Sequence, residues 1–290
     1  LTHPSTFSIV AYDAVELAWG IAVASKFPAA GAVVPWAQAG AGAVATQSYA
    51  NTSYGPEGLA MMGTGASAEE TIKRLTARDE ERARRQVGMV DASGNPATFT
   101  GGDCFEWAGG LTGPGYSIQG NILAGEQVVQ AMAAAYETVG GDLPDRLLAS
   151  IKAGDRAGGD RRGRQSAALL VVKEAAGYGG FNDRWLDYRV DDHQDPIARL
   201  IELRELHRLY FGQSPPEERL KLTGLVIDNL QSILIDQGYL ESPVGPPDKT
   251  ALWHALRQFI GNENFEERVD LDAGWIDKPV YDFLLRRFPV

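Results

Sequence analysis

From residue 7 to residue 47 the apolar positions come in short runs rich in valine and alanine, broken by turn-prone residues. That texture predicts strands over 7–12, 17–24 and 43–47, with the turn around Asp13 joining the first two as a hairpin. At Ser67 the period changes. Ser67 and Glu70 form a Ser-x-x-Glu capping box ahead of Ile72 and Leu75, which opens a helix. A second hairpin is expected where the turn 91–95, containing Gly94, separates strands over 86–90 and 97–100.

Beyond Asn121 alanine-rich and leucine-rich segments at 126–139 and 144–152 favour two helices. After a glycine and arginine loop, residues 166–172 make a continuous apolar run of the length of a buried strand. Strands, helices and strands in that order imply a layered α/β architecture. An amphipathic run at 197–211 is broken by Pro215 and Pro216, and downstream the pattern is helical. Leu222, Val226, Leu230, Ile233 and Leu234 share one helical face, as do Leu252, Leu256, Phe259 and Ile260. Gly238 stops the first of these helices, and Pro246, Pro247 and Asp248 start the next. The expected division is a domain over 1–191, a linker helix over 192–216 and a helical domain over 217–290.

Charge and composition remove several function classes. A net charge of -11 repels a phosphate backbone, and no basic, aromatic-studded stripe offsets it, so nucleic acid is excluded as a partner. Small molecules and peptides fit better. The single cysteine, Cys104, forms no internal disulfide and fits a reducing compartment. No segment has the apolar length of a membrane span, and residues 1–7 lack a basic and then apolar leader, which makes the expected location cytoplasmic. His3, His193, His207 and His254 are scattered, so no His-based metal site is expected. Gly40, Gly42 and Ala45 match the dinucleotide fingerprint in letters, but a polar loop follows instead of a helix, and no acidic residue stands at the required distance. A tightly packed strand accounts for those glycines, and no organic cofactor is expected.

Other segments carry chemistry beside a plain structural reading. In the loop 158–165, Arg161, Arg162 and Arg164 concentrate positive charge suited to a carboxylate, or form a solvated turn. Gln119, Gly120 and Asn121 could hold a carbonyl oxygen, or form an ordinary entry to a helix. The run from Thr100 to Asp103 shares that ambiguity. Asn51, Thr52 and Ser53 spell a glycosylation sequon and read as a polar loop, and the acidic cluster around His193 reads as a hydrated linker. Thr6 opens the first strand. A threonine there is a nucleophile when its own α-amine, which titrates at about 7.7 to 8.0, is free to act as base, and otherwise is a β-branched residue favoured at a strand start.

Several stretches taken together resemble one family: residues 6–11, the run from Gly20 to Phe27 with Ser25 and Lys26, residues 42–47 ending in Gln47, Gln119-Gly-Asn121, and the loop from Gly158 to Ala167. They are similar to the domain of unknown function numbered ten twenty-eight, a family grouped with the N-terminal-nucleophile (Ntn) hydrolases, over residues 6–190. The resemblance implies an α+β fold, a four-layer αββα sandwich of Ntn type. It also implies amide cleavage with Thr6 as nucleophile and base together, once the Ser5–Thr6 bond is cut, and with Ser25 and Lys26 beside it. From their chemistry, Gln47, Gln119, Asn121, Asp160 and Arg161 are the candidate substrate or oxyanion contacts. No metal or organic cofactor is implied.

The tail, through Leu230-Gln231, Gly238-Tyr239, residues 252–259 and 262–268, resembles peptidoglycan-binding modules over 217–287, which implies a small all-α three-helix domain. Tyr239, Trp253 and Trp275 there could stack on sugars or pack in a core. The leading expectation is an amidohydrolase acting on a small amide or peptide, with a glycan or protein partner at the tail. Its rival is a non-catalytic binding or assembly protein on the same scaffold. Small residues over 29–42 favour close contact between copies, hence a homo-oligomer.

Overall fold

The computed structural model describes residues 6–244 and 249–289, so the Ser5–Thr6 junction and the helix start at Pro246, Pro247 and Asp248 lie outside the described residues. Two compact units divide between Ile201 and Glu202. The first unit contains β1 (Thr6–Asp13), β2 (Ala18–Ser25), β3 (Pro35–Gln38), β4 (Gly42–Ser48), α1 (Tyr54–Gly63) and α2 (Ala68–Arg78). It continues through β5 (Arg85–Asp91), β6 (Pro96–Thr100), β7 (Gly109–Gly113), β8 (Tyr116–Asn121), α3 (Gln127–Thr138), α4 (Leu143–Arg156), β9 (Ser166–Lys173) and β10 (Arg184–Val190). A further helix, α5 (Pro196–Phe211), crosses the division.

Every strand pairing is antiparallel. One sheet has six strands in the order β10-β9-β2-β1-β8-β7, and the other has four in the order β3-β4-β5-β6. The sheets lie face to face, with α3 and α4 on the outer side of the first and α1 and α2 on the outer side of the second, giving four layers, αββα. Val10, Ile21, Val23, Ala43, Ala45, Val90 and Leu170 fill one half of the space between the sheets. Tyr54, Leu59, Met62, Ile72 and Leu75 seal the smaller sheet beneath its helices. Strands covered on both faces show little alternation, which is why most of β2 and β9, and β1 beyond Ser8, read in the sequence as apolar runs.

Local chemistry sets the joints. Asp13 Oδ1 accepts from the backbone N–H groups of Val15 and Glu16, turning β1 into β2. The Ser67 hydroxyl caps α2 by accepting from Glu70 N at 3.2 Å. Gly42, the second glycine of the rejected fingerprint, begins β4 at φ 141°, and a Cβ there would sit 2.4 Å from the carbonyl oxygen of Val90. Close approach of two strands is its role. Helix α1 starts at Tyr54, at the end of the segment expected as a loop, and continues through residues 56–63, for which no element was expected. Gly55, Pro56 and Gly58 give it poor intrinsic propensity, and the burial of Tyr54, Leu59 and Met62 against the sheet overrides that.

The second unit holds β11 (Arg219–Lys221), α6 (Leu225–Asp236), α7 (Lys249–Asn262), β12 (Val269–Asp270), β13 (Trp275–Asp277) and α8 (Lys278–Arg287). The expected helices pack around Leu230, Ile233, Leu256, Phe259, Phe265, Ile276 and Leu284. An antiparallel sheet in the order β11-β13-β12 is added to them, a departure from a purely helical domain. Strands of two and three residues carry no readable period. Leu222 lies ahead of α6, although its side chain belongs to the same core.

Candidate functional site

β1 is a central strand of the larger sheet, and Thr6 is paired across it with Ser25 of β2 and Asn121 of β8. Alternation along β1 sends Phe7 toward α4 while Thr6 and Ser8 share the face turned to the other sheet. Thr6 is 2% exposed, and its Oγ1 lies 3.1 Å from Ser25 Oγ. That hydroxyl pair is the first feature of the site. The sequence motifs therefore do bring Thr6, Ser25 and Asn121 to one level of one sheet.

Gln47 and Gln119 belong to a buried amide network between the two sheets. Gln47 Nε2 donates to Gln86 Oε1 at 2.8 Å and to the carbonyl oxygens of Thr6 and Gln119, while its Oε1 accepts from Ser8 Oγ at 2.6 Å. Gln119 Nε2 donates to Ser8 Oγ at 2.7 Å. Asn121 Nδ2 donates to Gln86 Oε1 at 2.9 Å, and Gln86 Nε2 donates to the Gly120 carbonyl at 2.8 Å. All of these side chains are buried. Their amides join the two sheets, and in this arrangement they do not face an open cleft. A buried, fully paired network of this kind fixes sheet against sheet, because any unmatched member would bear the full cost of desolvation.

Gln86 and Ser8 are the members that motif reading missed. A period-two signal was available: Thr6 and Ser8 on β1, and Ser117, Gln119 and Asn121 on β8, are polar residues at alternate positions of otherwise apolar strands.

Lys26 is exposed, and its Nζ donates to the carbonyl of Arg164 at 3.2 Å, so its ammonium binds the arginine loop and not Thr6. Its backbone N–H donates to Asp160 Oδ2 at 2.7 Å. Asp160, with a side chain 2% exposed, also accepts from Arg162 N at 2.8 Å and from Arg162 Nη2 at 3.1 Å. One carboxylate thus ties the arginine loop to the end of β2. Arg164 makes a two-point pair with Asp155, both contacts at 2.7 Å, and that pairing raises the pKa of its guanidinium. Arg161 is exposed, with its backbone N–H on the Ile122 carbonyl. The arginine partner of Asp160 is therefore Arg162.

A depression of about 10 Å³, room for about one water molecule, lies against Phe7, Ser25, Asp160, Arg164 and Ser166. Phe7 and Ala24, paired across β1 and β2, line it from the opposite face of the sheet to the Thr6 hydroxyl. Among the described residues no three His, Cys, Asp or Glu side chains are grouped to hold a metal ion, and no helix is long and apolar enough to cross a membrane. Cys104 is buried, and burial pushes its thiol pKa up, away from the thiolate a nucleophile needs.

Residues 6–200 match the model described as "Family of unknown function (DUF1028)", and residues 210–284 match one described as "Putative peptidoglycan binding domain". Among solved structures, the crystal structure of protein SPO2555 from Silicibacter pomeroyi, of the same family model, is similar at 30% sequence identity and a TM-score of 0.65. The similarity covers 70% of this chain and 89% of that one. No curated protein matches.

Proposed function

Because the chain belongs to the family of unknown function DUF1028 and continues into a domain of the peptidoglycan-binding kind, we propose that it is an amidohydrolase of N-terminal-nucleophile type whose tail holds a glycan. One observation carries the reading. Thr6 opens a central strand between two stacked sheets, with its hydroxyl 3.1 Å from that of Ser25 and both sheet neighbours, Ser25 and Asn121, polar.

In the reaction, Oγ1 of Thr6 attacks the amide carbon, and the hydroxyl proton passes to the threonine's own α-amine. The C–N bond then breaks, the proton leaves with the amine product, and water hydrolyses the ester. Ser25 holds the attacking hydroxyl in place. A free α-amine at about 7.7 to 8.0 is matched to neutral pH, whereas the nitrogen of a peptide bond is no base at all. Activity therefore requires a chain that begins at Thr6.

The burial of Thr6 supports a second reading, a binding or assembly protein on the same scaffold, because its side-chain contact is another hydroxyl and not a titratable group. One experiment separates the two. Protein from the native host is examined by N-terminal mass spectrometry, and chain beginning at Thr6 is screened against amides beside the Thr6→Ala variant. Mature chain starting at Thr6, with hydrolysis abolished in the variant, supports the enzyme. Retention of the residues before Thr6, with no turnover, supports the binding protein.

A further inference from the structure

The helical domain carries a pocket of about 340 Å³ between α7, the segment 266–270 and the β12–β13 turn. Its walls are of two kinds. Ile260 and Val269 are buried residues at its base, and Trp275 supplies a flat aromatic wall. Arg257, Glu266, Glu267 and Asp272 stand at the exposed rim.

The wall is held in place. The Arg219 guanidinium covers the Trp275 ring at 4.1 Å, leaving the remaining indole surface to the pocket. Asp270 Oδ1 accepts from Asp272 N at 3.0 Å and Ala273 N at 2.7 Å, which fixes the turn carrying Asp272. The rim, by contrast, is uncommitted. Arg257 reaches Asp272 only at 3.9 Å. Glu266 and Glu267 have no side-chain hydrogen bond or ion pair among the described residues.

We infer that this pocket is where the tail holds a neutral amino-sugar polymer. The inference rests on the glycan reading above and gives it a site. A pyranose ring offers an apolar C–H face to an indole and hydroxyl donors around its edge. Carboxylates at the rim accept those donors strongly, and one guanidinium donates to the N-acetyl carbonyl. Four carboxylates against one guanidinium select against an anionic glycan. A basic peptide would suit the acids, but the aromatic wall and Arg257 favour the sugar.

Titration calorimetry of the full chain with the N-acetylglucosamine tetrasaccharide tests this, with polygalacturonate and oligolysine as the other ligands. The tetrasaccharide alone is expected to bind. Replacing both rim acids, Glu266→Gln with Glu267→Gln, weakens it about tenfold, and Trp275→Leu weakens it further with circular dichroism unchanged. Because the rim acids are exposed, the double variant stays informative even where the Trp275 variant fails to fold. Equal tetrasaccharide binding by wild type and rim variant overturns the pocket while the glycan reading stands. Absence of tetrasaccharide binding to the wild type overturns both. Binding of oligolysine that depends on the same acids overturns the ligand class.

Discussion

Arg268 donates through Nε to Asp277 Oδ2 at 2.6 Å, and both side chains are 3% exposed. The same guanidinium donates through Nη1 to the carbonyls of Arg208 and Leu209, both at 2.7 Å, and through Nη2 to Ser214 Oγ. One buried cation thus closes the start of the helical unit onto its small sheet. Arg268→Met leaves buried Asp277 with only the longer 3.7 Å ion pair to Arg219 and strips the Arg208 and Leu209 carbonyls of their donor, and is expected to destabilise this unit by about 3 kcal/mol. Hydrogen exchange over residues 219–287 reads the loss, and unchanged protection there would falsify it.

Asp79 offers a pH test. The Arg85 guanidinium, at 2.9 Å, holds its carboxyl well below the usual carboxylate range, and Asn51 and Tyr54 add hydrogen bonds to the charged form. A depressed folded-state pKa contributes stability that is whole above the unfolded value of about 3.9 and is lost as pH falls through the folded value. The urea midpoint of wild type is therefore expected to drop below about pH 4 more steeply than that of Asp79→Asn. Parallel slopes for the two proteins would remove the linkage.

Gln86 joins the amides of Gln47 and Asn121 to the backbone of Gly120. Gln86→Leu removes the oxygen that accepts from two buried amides and the donor to the Gly120 carbonyl, at about 1–3 kcal/mol for each bond lost, so a loss of at least about 2 kcal/mol is expected in urea unfolding. A Gln86→Leu protein as stable as wild type would mean that water or rotamer change replaces the network.

Gly88, on β5, faces the same network from the other sheet. A Cβ at this position would lie 1.9 Å from Gln119 Oε1 and 2.4 Å from Gln119 Cδ. Gly88→Ala must displace that amide, and the expected cost is about 1–3 kcal/mol. Combined with Gln119→Ala, which vacates the space, the alanine should cost measurably less, and additive losses in the double-mutant cycle would disprove the contact.

If Thr6 is the nucleophile, Thr6→Val, which keeps the shape and removes the hydroxyl, abolishes amide hydrolysis by about a thousandfold or more in chain beginning at that residue. Thr6→Ser keeps part of it. Ser25→Ala, which removes a hydroxyl that orients and does not attack, is expected to cost less. Equal turnover by wild type and Thr6→Val would transfer the chemistry elsewhere.

Much of the strand and helix order was legible because its signals are local. The turn at Asp13, the cap at Ser67 and the runs of β1, β2 and β9 depend on neighbours a few residues away. Helix α1 was not legible, since tertiary burial of Tyr54, Leu59 and Met62 outweighs its glycines and proline. Nor were β12 and β13, too short to show a period.

At the site the division falls between residue identity and residue partner. The chain by itself determined which strand Thr6 opens and several of the polar residues that accompany it, Ser25, Gln47, Gln119 and Asn121, though not Ser8 or Gln86. Only tertiary structure decided that the Gln47 amide crosses the sandwich to the Gln119 carbonyl, that the Gln119 amide turns to Ser8 on the neighbouring strand of its own sheet, and that the Lys26 ammonium turns away to Arg164. Partners in a folded protein are chosen by which groups meet at hydrogen-bond distance: Ser8 and Gln47, 39 positions apart, meet only when two sheets have stacked, and Lys26 and Arg164, 138 apart, only where β2 pairs with β9.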